Sequence, residues 1–176
     1  MDKQLYGTLI RLLRGEDIAY AVKSGYLGIN PFDERKLQPT SYDISVFQIA
    51  KFSDKEIYQA DDIEEIFEDF NEVIIEPGQS YLFLTVEEFS FPLDMIAEIN
   101  LRSRYSRLLN SSGYLGRVEC GWKGHLVLEV ANHSSTRRVR IGKGESLATL
   151  VIYQLEQPVT RGYAGRYLNW PGFQSR

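Results

Sequence analysis

The spacing of apolar residues changes along the chain from a helical period to a strand period. In the first 25 residues, leucines and isoleucines recur every three or four positions, which predicts a helical N-terminus. Gly15 divides this region, and residues 16–24 form its second predicted helix. After a loop over residues 31–39, short runs of β-branched and aromatic residues predict strands. The predicted strands cover residues 44–50, 73–75, 81–86, 96–99, 126–130 and 147–155.

One segment between these strands has the spacing of an amphipathic helix. Within residues 61–70, four apolar residues stand at positions i, i+3, i+4 and i+7: Ile63, Ile66, Phe67 and Phe70. Six acidic residues fill the other positions, which predicts a surface helix inserted between strands, with an acidic surface for a partner as the alternative. Many short strands after a few helices indicate a mainly β barrel or sandwich, in a single domain spanning residues 1–176.

Composition limits the classes of protein to which the chain can belong. Apolar residues make up 43% of the chain and charged residues 25%, which is typical of a globular protein rather than a disordered or membrane chain. The single cysteine, Cys120, cannot form an internal disulfide, and the charged N-terminus lacks a secretory cleavage site, so we expect a cytoplasmic location. With 20 basic and 24 acidic side chains the net charge is −4, which disfavours a nucleic-acid binder but permits a small phosphate ligand.

The scarcity of metal-ligating residues excludes one class of chemistry. Zinc-dependent deaminases require a histidine or cysteine and two further cysteine ligands. One cysteine and two histidines, His125 and His133, cannot supply that set within one chain. We therefore expect no zinc and no protein-bound metal, and any hydrolysis or deamination must activate water with a side chain.

The segment RSRYSR at residues 102–107 is the strongest candidate for binding phosphate. It holds three arginines and two serines and no acidic residue. Guanidinium groups match phosphate oxygens bidentately, and hydroxyl groups add further donors. The segment follows a mostly apolar run, so we expect it where a strand gives way to a turn or a helix start, which suits an anion. The alternative is a solvated basic turn or a salt-bridge site between subunits.

Residues 117–129 contain the candidate for acid–base chemistry. Gly121 and Gly124 bracket Trp122, as a tight hairpin would, and an apolar run then leads into Glu129. A carboxylate buried in a strand is costly unless it is paired or functional, and burial favours proton transfer near neutral pH. In the alternative interpretation, Glu129 points outward on the strand face that it shares with Val127.

The C-terminus, residues 160–176, has aromatic residues, glycines and arginine without strand alternation. This composition predicts an arm that covers a ligand or a neighbouring subunit, with an ordinary docked tail as the alternative.

These segments, in this order, resemble the dCTP deaminase branch of the trimeric dUTPase superfamily. Residues 29–33 (INPFD) are similar to the family's "I-x-P-F-D", and residues 38–43 (QPTSYD) to its "Q-P-x-S-x-D". Residues 76–78 (EPG), 81–84 (YLFL) and 91–94 (FPLD) are similar to the strand pair before its Arg-Ser motif. The resemblance covers most of the chain.

The resemblance implies a distorted jelly-roll or β-barrel of the dUTPase-like type, a homotrimer, and active sites shared between neighbouring subunits. It implies that the triphosphate, with its Mg²⁺, is the ligand of the Arg-Ser motif, and that Glu129 is the general acid/base that activates water against C4 of cytosine. Glu119 stands at the family's sugar-binding aspartate, and Arg117 at a basic residue just before it. The implied substrate-binding residues are Arg102, Ser103, Arg104, Arg107, Arg117, Glu119, Trp122, Tyr163 and Arg166.

Three positions depart from the family pattern. Arg104 replaces a serine, Glu119 replaces an aspartate, and Leu115 replaces a small residue. The leading hypothesis is hydrolytic deamination of dCTP to dUTP and ammonia. The departures keep two alternatives open: a dUTP pyrophosphatase, with or without deamination, and a catalytically silent nucleotide-binding trimer.

Overall fold

A computed structural model describes residues 9–50, 67–165 and 168–169, and these residues are mainly β. These described residues contain two helices, α1 (Gly15–Lys23) and α2 (Ser103–Leu109), and a short 3₁₀ turn at Glu34–Lys36. The strands of the described residues are β1 (Ile10–Leu12), β2 (Gly28–Asn30), β3 (Leu37–Gln38), β4 (Ser41–Ala50), β5 (Glu68–Asp69), β6 (Glu72–Ile75), β7 (Ser80–Ser90), β8 (Met95–Leu101), β9 (Tyr114–Val118), β10 (Lys123–Ala131), β11 (Val139–Gly142) and β12 (Ser146–Leu155).

Antiparallel pairing joins most strands into one sheet in the order β10-β7-β4-β12-β8-β9. The shorter strands β1, β2, β3 and β5 extend it, and β6 and β11 form a separate pair. Strand β4 pairs with β12 through its first half and with β7 through its second half, and its register with β7 shifts between Val46 and Gln48. Such irregularities bend a strand, so this sheet curls.

The core lies inside the curled sheet and is filled by alternate residues of each strand. Strand β8 buries four residues at a period of two: Met95, Ala97, Ile99 and Leu101. Strand β10 buries Leu126, Leu128 and Val130 in the same way. Burying each such leucine or isoleucine stabilises the fold by about 1.5–3 kcal/mol. The helices add Ile18 and Tyr105 to this core.

One ion pair lies deep in the structure. Glu87 of β7 is fully buried, and its carboxylate pairs with Lys36 Nζ and accepts the backbone N–H of Ser45 at 3.1 Å. The Lys36 ammonium also donates to the Ser45 hydroxyl at 2.8 Å. A buried carboxylate is tolerated only with such partners, so this network ties the 3₁₀ turn to β4 and β7.

All six sequence-predicted strands are strands in the structure, and the second predicted helix is α1. The prediction of helix throughout the first 25 residues is wrong at residues 10–12, which form β1, while residues 1–8 lie outside the described residues. The backbone at the end of β12 pairs with β1, and Ile10 lies opposite Leu155. Tertiary hydrogen bonding therefore overrides the local helical spacing.

The predicted acidic helix over residues 61–70 is wrong at its end. Residues 61–66 lie outside the described residues, but Glu68–Asp69 is strand β5, paired with Gln48 and Ile49 of β4. Phe70 is buried, and its ring meets the edge of Phe83 at 5.9 Å between centroids. The free edge of β4 and this aromatic contact favour the extended conformation over a helical turn.

Candidate functional site

The arginine-rich segment lies where β8 gives way to α2, as the sequence predicts. Arg102 precedes the first turn of α2 with an extended backbone (φ −59°, ψ 140°), and its N–H donates to Leu147 O at 3.0 Å. Its guanidinium Nη1 lies 3.1 Å from Asp43 Oδ2 of β4. Arg102 is therefore held at both its backbone and its side chain.

Helix α2 is anchored on one side, which leaves its basic side chains on the other. The buried Tyr105 hydroxyl donates to the carboxylate of Glu145. At the C-terminal end, the His133 N–H donates to Leu109 O at 2.8 Å, and Arg137 Nε donates to Leu108 O at 2.9 Å. These contacts satisfy carbonyl groups that a helix end leaves open.

Ser103, Arg104 and Arg107 are exposed on the outer side of α2. The Arg104 guanidinium carbon lies 5.0 Å from the centre of the Tyr105 ring. Within the described part of the chain, neither Arg104 nor Arg107 has an acidic partner for its side chain. A set of guanidinium groups with free N–H donors is what a phosphate ligand requires.

Arg117 and Glu119 form an ion pair at the end of β9. Arg117 Nη2 and Nε donate to Glu119 Oε1 at 2.6 Å and 2.9 Å, and this hydrogen bonding to the carboxylate raises the pKa of Arg117. Both side chains are about half exposed. Because each charge partly neutralises the other, a hydroxyl or phosphate group that binds Arg117 or Glu119 must displace the other side chain of the pair.

The expected tight hairpin at residues 121–124 is wrong in one respect. The chain does turn there, with the Trp122 N–H donating to Glu119 O at 3.2 Å. However, β9 pairs with β8 and β10 pairs with β7, so the strands on either side of the turn belong to different parts of the curled sheet. The turn therefore connects two edges of the sheet.

The start of the C-terminal arm docks on this turn. The Tyr163 N–H donates to Cys120 O at 2.7 Å, and the Tyr163 ring lies 5.0 Å from that of Trp122. Farther along, the Asn169 N–H donates to Lys123 O at 2.9 Å. Arg166 lies outside the described residues. The structure thus brings together two sequence-predicted residues, Trp122 and Tyr163.

Glu129 is exposed, so the expectation of a buried carboxylate is not met by the single chain. The alternation of β10 buries Leu126 and Leu128 and turns Val127 and Glu129 to the opposite face. Among the described residues, Glu129 has no hydrogen-bond or ion-pair partner. The outward orientation, which was the alternative in the sequence analysis, is the one observed.

Glu129 and the arginines of residues 102–107 form no hydrogen bond or ion pair with one another in the described part of the chain. Tyr105 of α2 and Leu128 of β10 face the same core, and Glu129 and the exposed arginines point outward from it. A cleft of about 510 Å³ lies elsewhere, beside α1, and none of the predicted site residues lines it. If both sets act on one substrate, a second copy of the chain must supply one of them.

Sequence reasoning assigned no role to three residues that shape this site. Asp43 holds Arg102, Glu145 holds Tyr105, and Arg137 bonds the end of α2. Asp43 has a visible signal, because it is the last residue of the QPTSYD segment that is similar to the family pattern. The other two lie in turns, where their types are ordinary.

Neither helix in the described ranges is long and apolar enough to cross a membrane. Likewise, no group of three or more histidine, cysteine, aspartate or glutamate side chains in those ranges is arranged to hold a metal ion.

Comparison with known proteins assigns the family. A family model described as dCTP deaminase-like matches residues 12–155. The chain belongs to this family. It is 34% identical over 142 residues to a dCTP deaminase of Pyrococcus horikoshii, covering 79% of this chain and 83% of that protein. It is 26% identical over 162 residues to a dUMP-forming dCTP deaminase of Corynebacterium kroppenstedtii, covering 86% of each.

A solved structure supports the fold. The 2′-deoxycytidine 5′-triphosphate deaminase of Agrobacterium tumefaciens superposes with a TM-score of 0.62 at 20% identity. The match covers 85% of this chain and 49% of that one, so the chain spans about half the length of that protein. The prediction of a mainly β, dUTPase-like fold is confirmed.

Proposed function

We propose that this protein is a dCTP deaminase, which hydrolyses dCTP to dUTP and ammonia. The observation that carries the proposal is the dCTP deaminase-like match over residues 12–155, which includes both α2 and Glu129. The outward-facing guanidinium groups of α2 and the unpartnered carboxylate of β10 are the two chemical functions that such a reaction needs.

The substrate is the nucleotide with the Mg²⁺ that its triphosphate carries. Arg102, Ser103 and Arg107 bind phosphate oxygens, with Arg104 beside them and Arg166 reaching the triphosphate from the arm. When the nucleotide binds, the ion pair between Glu119 and Arg117 is partly broken, and both side chains contact the sugar. Trp122 and Tyr163, already in contact, cover the nucleotide.

Glu129 carries the proton transfers. Its carboxylate takes a proton from water, and the oxygen of that water attacks C4 of cytosine. As the C4–O bond forms, the C4=N3 double bond opens, and the second proton of the water ends on N3. The first proton passes from Glu129 to the amine, the C4–N bond to that amine breaks, and dCTP and water give dUTP and ammonia without further reactants. Val127, on the same face of β10, gives the base an apolar contact.

The active site is assembled from more than one copy of the chain, in a homotrimer. The homotrimer is what the family resemblance implies, and a shared site is supported by the lack of any hydrogen bond or ion pair between Glu129 and the arginines of residues 102–107 in the described part of the chain. A neighbouring copy laid on β10 excludes bulk water from Glu129, which is the condition that suits acid–base catalysis.

A second candidate, deamination followed by hydrolysis to dUMP and pyrophosphate, is favoured by one observation. The chain matches relatives whose names specify dUMP as product, at 26–28% identity over 86% of its length. In that reaction Glu119 orients the second water. Chromatography distinguishes the candidates, because dUTP marks deamination alone and dUMP with pyrophosphate marks both steps.

The deciding experiment incubates the purified protein with dCTP and Mg²⁺ and measures ammonia and nucleotide products. We expect Glu129→Gln to abolish ammonia release while dCTP binding persists. The matched control is Glu88→Gln, because Glu88 is an exposed carboxylate on the neighbouring strand β7. Unchanged turnover in Glu129→Gln would defeat the assignment, and binding without product in the wild type would identify a silent nucleotide binder.

A further inference from the structure

Asp43 is a buried carboxylate that the proposed reaction does not use. It lies near the start of β4 and is only 5% exposed. Its Oδ2 atom receives two contacts, from Arg102 Nη1 at 3.1 Å and from Gln38 Nε2 at 3.2 Å. Removing a carboxylate from water costs stability unless a charged partner offsets it, so Arg102 is the group that makes this burial tolerable.

The same contact restricts Arg102. Its backbone N–H is bound to Leu147 O, and its guanidinium is bound to Asp43, yet 38% of the side chain remains exposed. A guanidinium has five N–H donors in one rigid plane. With one nitrogen in an ion pair with Asp43, the guanidinium is restrained close to β4 and its other donors are available to a ligand.

Arg107 provides the contrast within the same helix. It is exposed and, in the described part of the chain, its side chain has no acidic partner. Binding a phosphate must therefore order the whole Arg107 side chain, whereas the Arg102 side chain is ordered beforehand. Asp43 cancels part of the positive charge of Arg102 and in exchange supplies its orientation.

We propose that Asp43 is a positioning residue, which fixes the Arg102 guanidinium for the triphosphate of the substrate. This inference rests on the proposed function in one respect, the role of Arg102 as a phosphate ligand. Asp43 itself touches neither substrate nor the reacting atoms.

The test is Asp43→Asn, which keeps the side-chain volume and removes the charge. We expect KM for dCTP to rise about tenfold while kcat changes less than about twofold, because the lost interaction binds substrate and transition state alike. The affinity for dCTP relative to dCMP should fall by a similar factor, since the two ligands share base and sugar and differ in phosphates. A general loosening of the fold would weaken both ligands equally.

Asp94→Asn is the matched control. Asp94 is 7% exposed and accepts a hydrogen bond from Gln154 Nε2 at 3.0 Å, so its burial resembles that of Asp43, but it has no contact with α2. We expect its KM and its dCTP-to-dCMP affinity ratio to match the wild type. A second test variant, Gln38→Ala, removes the other contact of Asp43 from an exposed position, and we expect a two- to threefold change in the same direction.

The affinity ratio is measured by equilibrium binding, so it does not require turnover. If the wild type binds dCTP without releasing ammonia, the proposed function fails while the role of Asp43 is still decided. An unchanged or higher dCTP-to-dCMP ratio in Asp43→Asn would overturn the inference. If Asp43→Asn does not fold, an unchanged dCTP-to-dCMP affinity ratio in Gln38→Ala would overturn the inference instead. Equal affinities of the wild type for dCMP and dCTP would also overturn it.

Discussion

The turn that receives the C-terminal arm depends on a glycine, and Gly121→Ala tests that dependence. Gly121 has φ +79°, a left-handed conformation that favours glycine. A Cβ at this position would lie 2.8 Å from Gly162 Cα, 3.3 Å from the backbone nitrogen of Tyr163 and 3.3 Å from a methyl carbon of Leu93. Two of these three atoms belong to the backbone of the arm, which must move.

The geometry sets the size of the effect. Carbon atoms prefer separations of about 3.5–4.0 Å, so the arm must move by roughly 0.8 Å. The hydrogen bond from the Tyr163 N–H to Cys120 O, now 2.7 Å, would lengthen to roughly 3.5 Å and be lost. The left-handed backbone costs alanine about 1 kcal/mol, and the lost hydrogen bond about 1 kcal/mol more. We therefore expect Gly121→Ala to lower the free energy of unfolding by about 2 kcal/mol.

Gly144→Ala separates these contributions. Gly144 has φ +81°, nearly the same conformation, but no atom lies within 4 Å of a Cβ built there. We expect it to lose only about 1 kcal/mol in urea-induced unfolding and to keep the wild-type KM for dCTP. Gly121→Ala, in contrast, should raise KM about tenfold, because it displaces Tyr163. Equal unfolding energies and equal KM values in the two variants would refute the role assigned to the arm contact.

Two further predictions concern ion pairs. Lys36→Met removes the counter-ion of the fully buried Glu87, so the free energy of unfolding, measured in urea, should fall by about 3–5 kcal/mol. The double variant Lys36→Met with Glu87→Leu should regain most of this loss. A loss below about 1 kcal/mol in Lys36→Met would contradict the prediction. The hydrogen bond from Arg14 lowers the pKa of Asp17 from 3.8 to about 2, so the pair stabilises the fold above about pH 4 and this contribution is lost as the pH falls through 2. The difference in Tm between wild type and Asp17→Asn should accordingly be present at about pH 6 and vanish only below about pH 2, and a difference independent of pH would count against the pairing.

The elements that were predictable are those whose signal is local. Strands β4, β7, β10 and β12 carry long β-branched and aromatic runs, and each was located from the sequence. Short strands such as β1 and β5 form because an existing strand offers unpaired backbone groups. The pairing strand is far away in the sequence, so the residues of β1 and β5 carry no local pattern that predicts a strand.

In the site, too, local features were predictable and contacts between distant residues were not. Its residue types and its helix start were visible, since three arginines and two serines in six positions are a local feature. The orientation of Arg102 was not, because it depends on Asp43 of another strand. The exposure of Glu129 was also undecided, because alternation defines two faces without identifying which of them meets the core.

The separation of Glu129 from the arginines agrees with the chemistry of the proposed substrate. A triphosphate and a catalytic carboxylate are both anionic, so placing them side by side would weaken binding. In dCTP the triphosphate and the base lie at opposite ends of the sugar, and Glu129 must reach only the base. Glu129 and Val127 share one face of β10, and in the proposed reaction this face meets the base while the exposed arginines of α2 bind the triphosphate. In the proposed homotrimer, the second copy of the chain brings these two groups to the distance that one nucleotide spans.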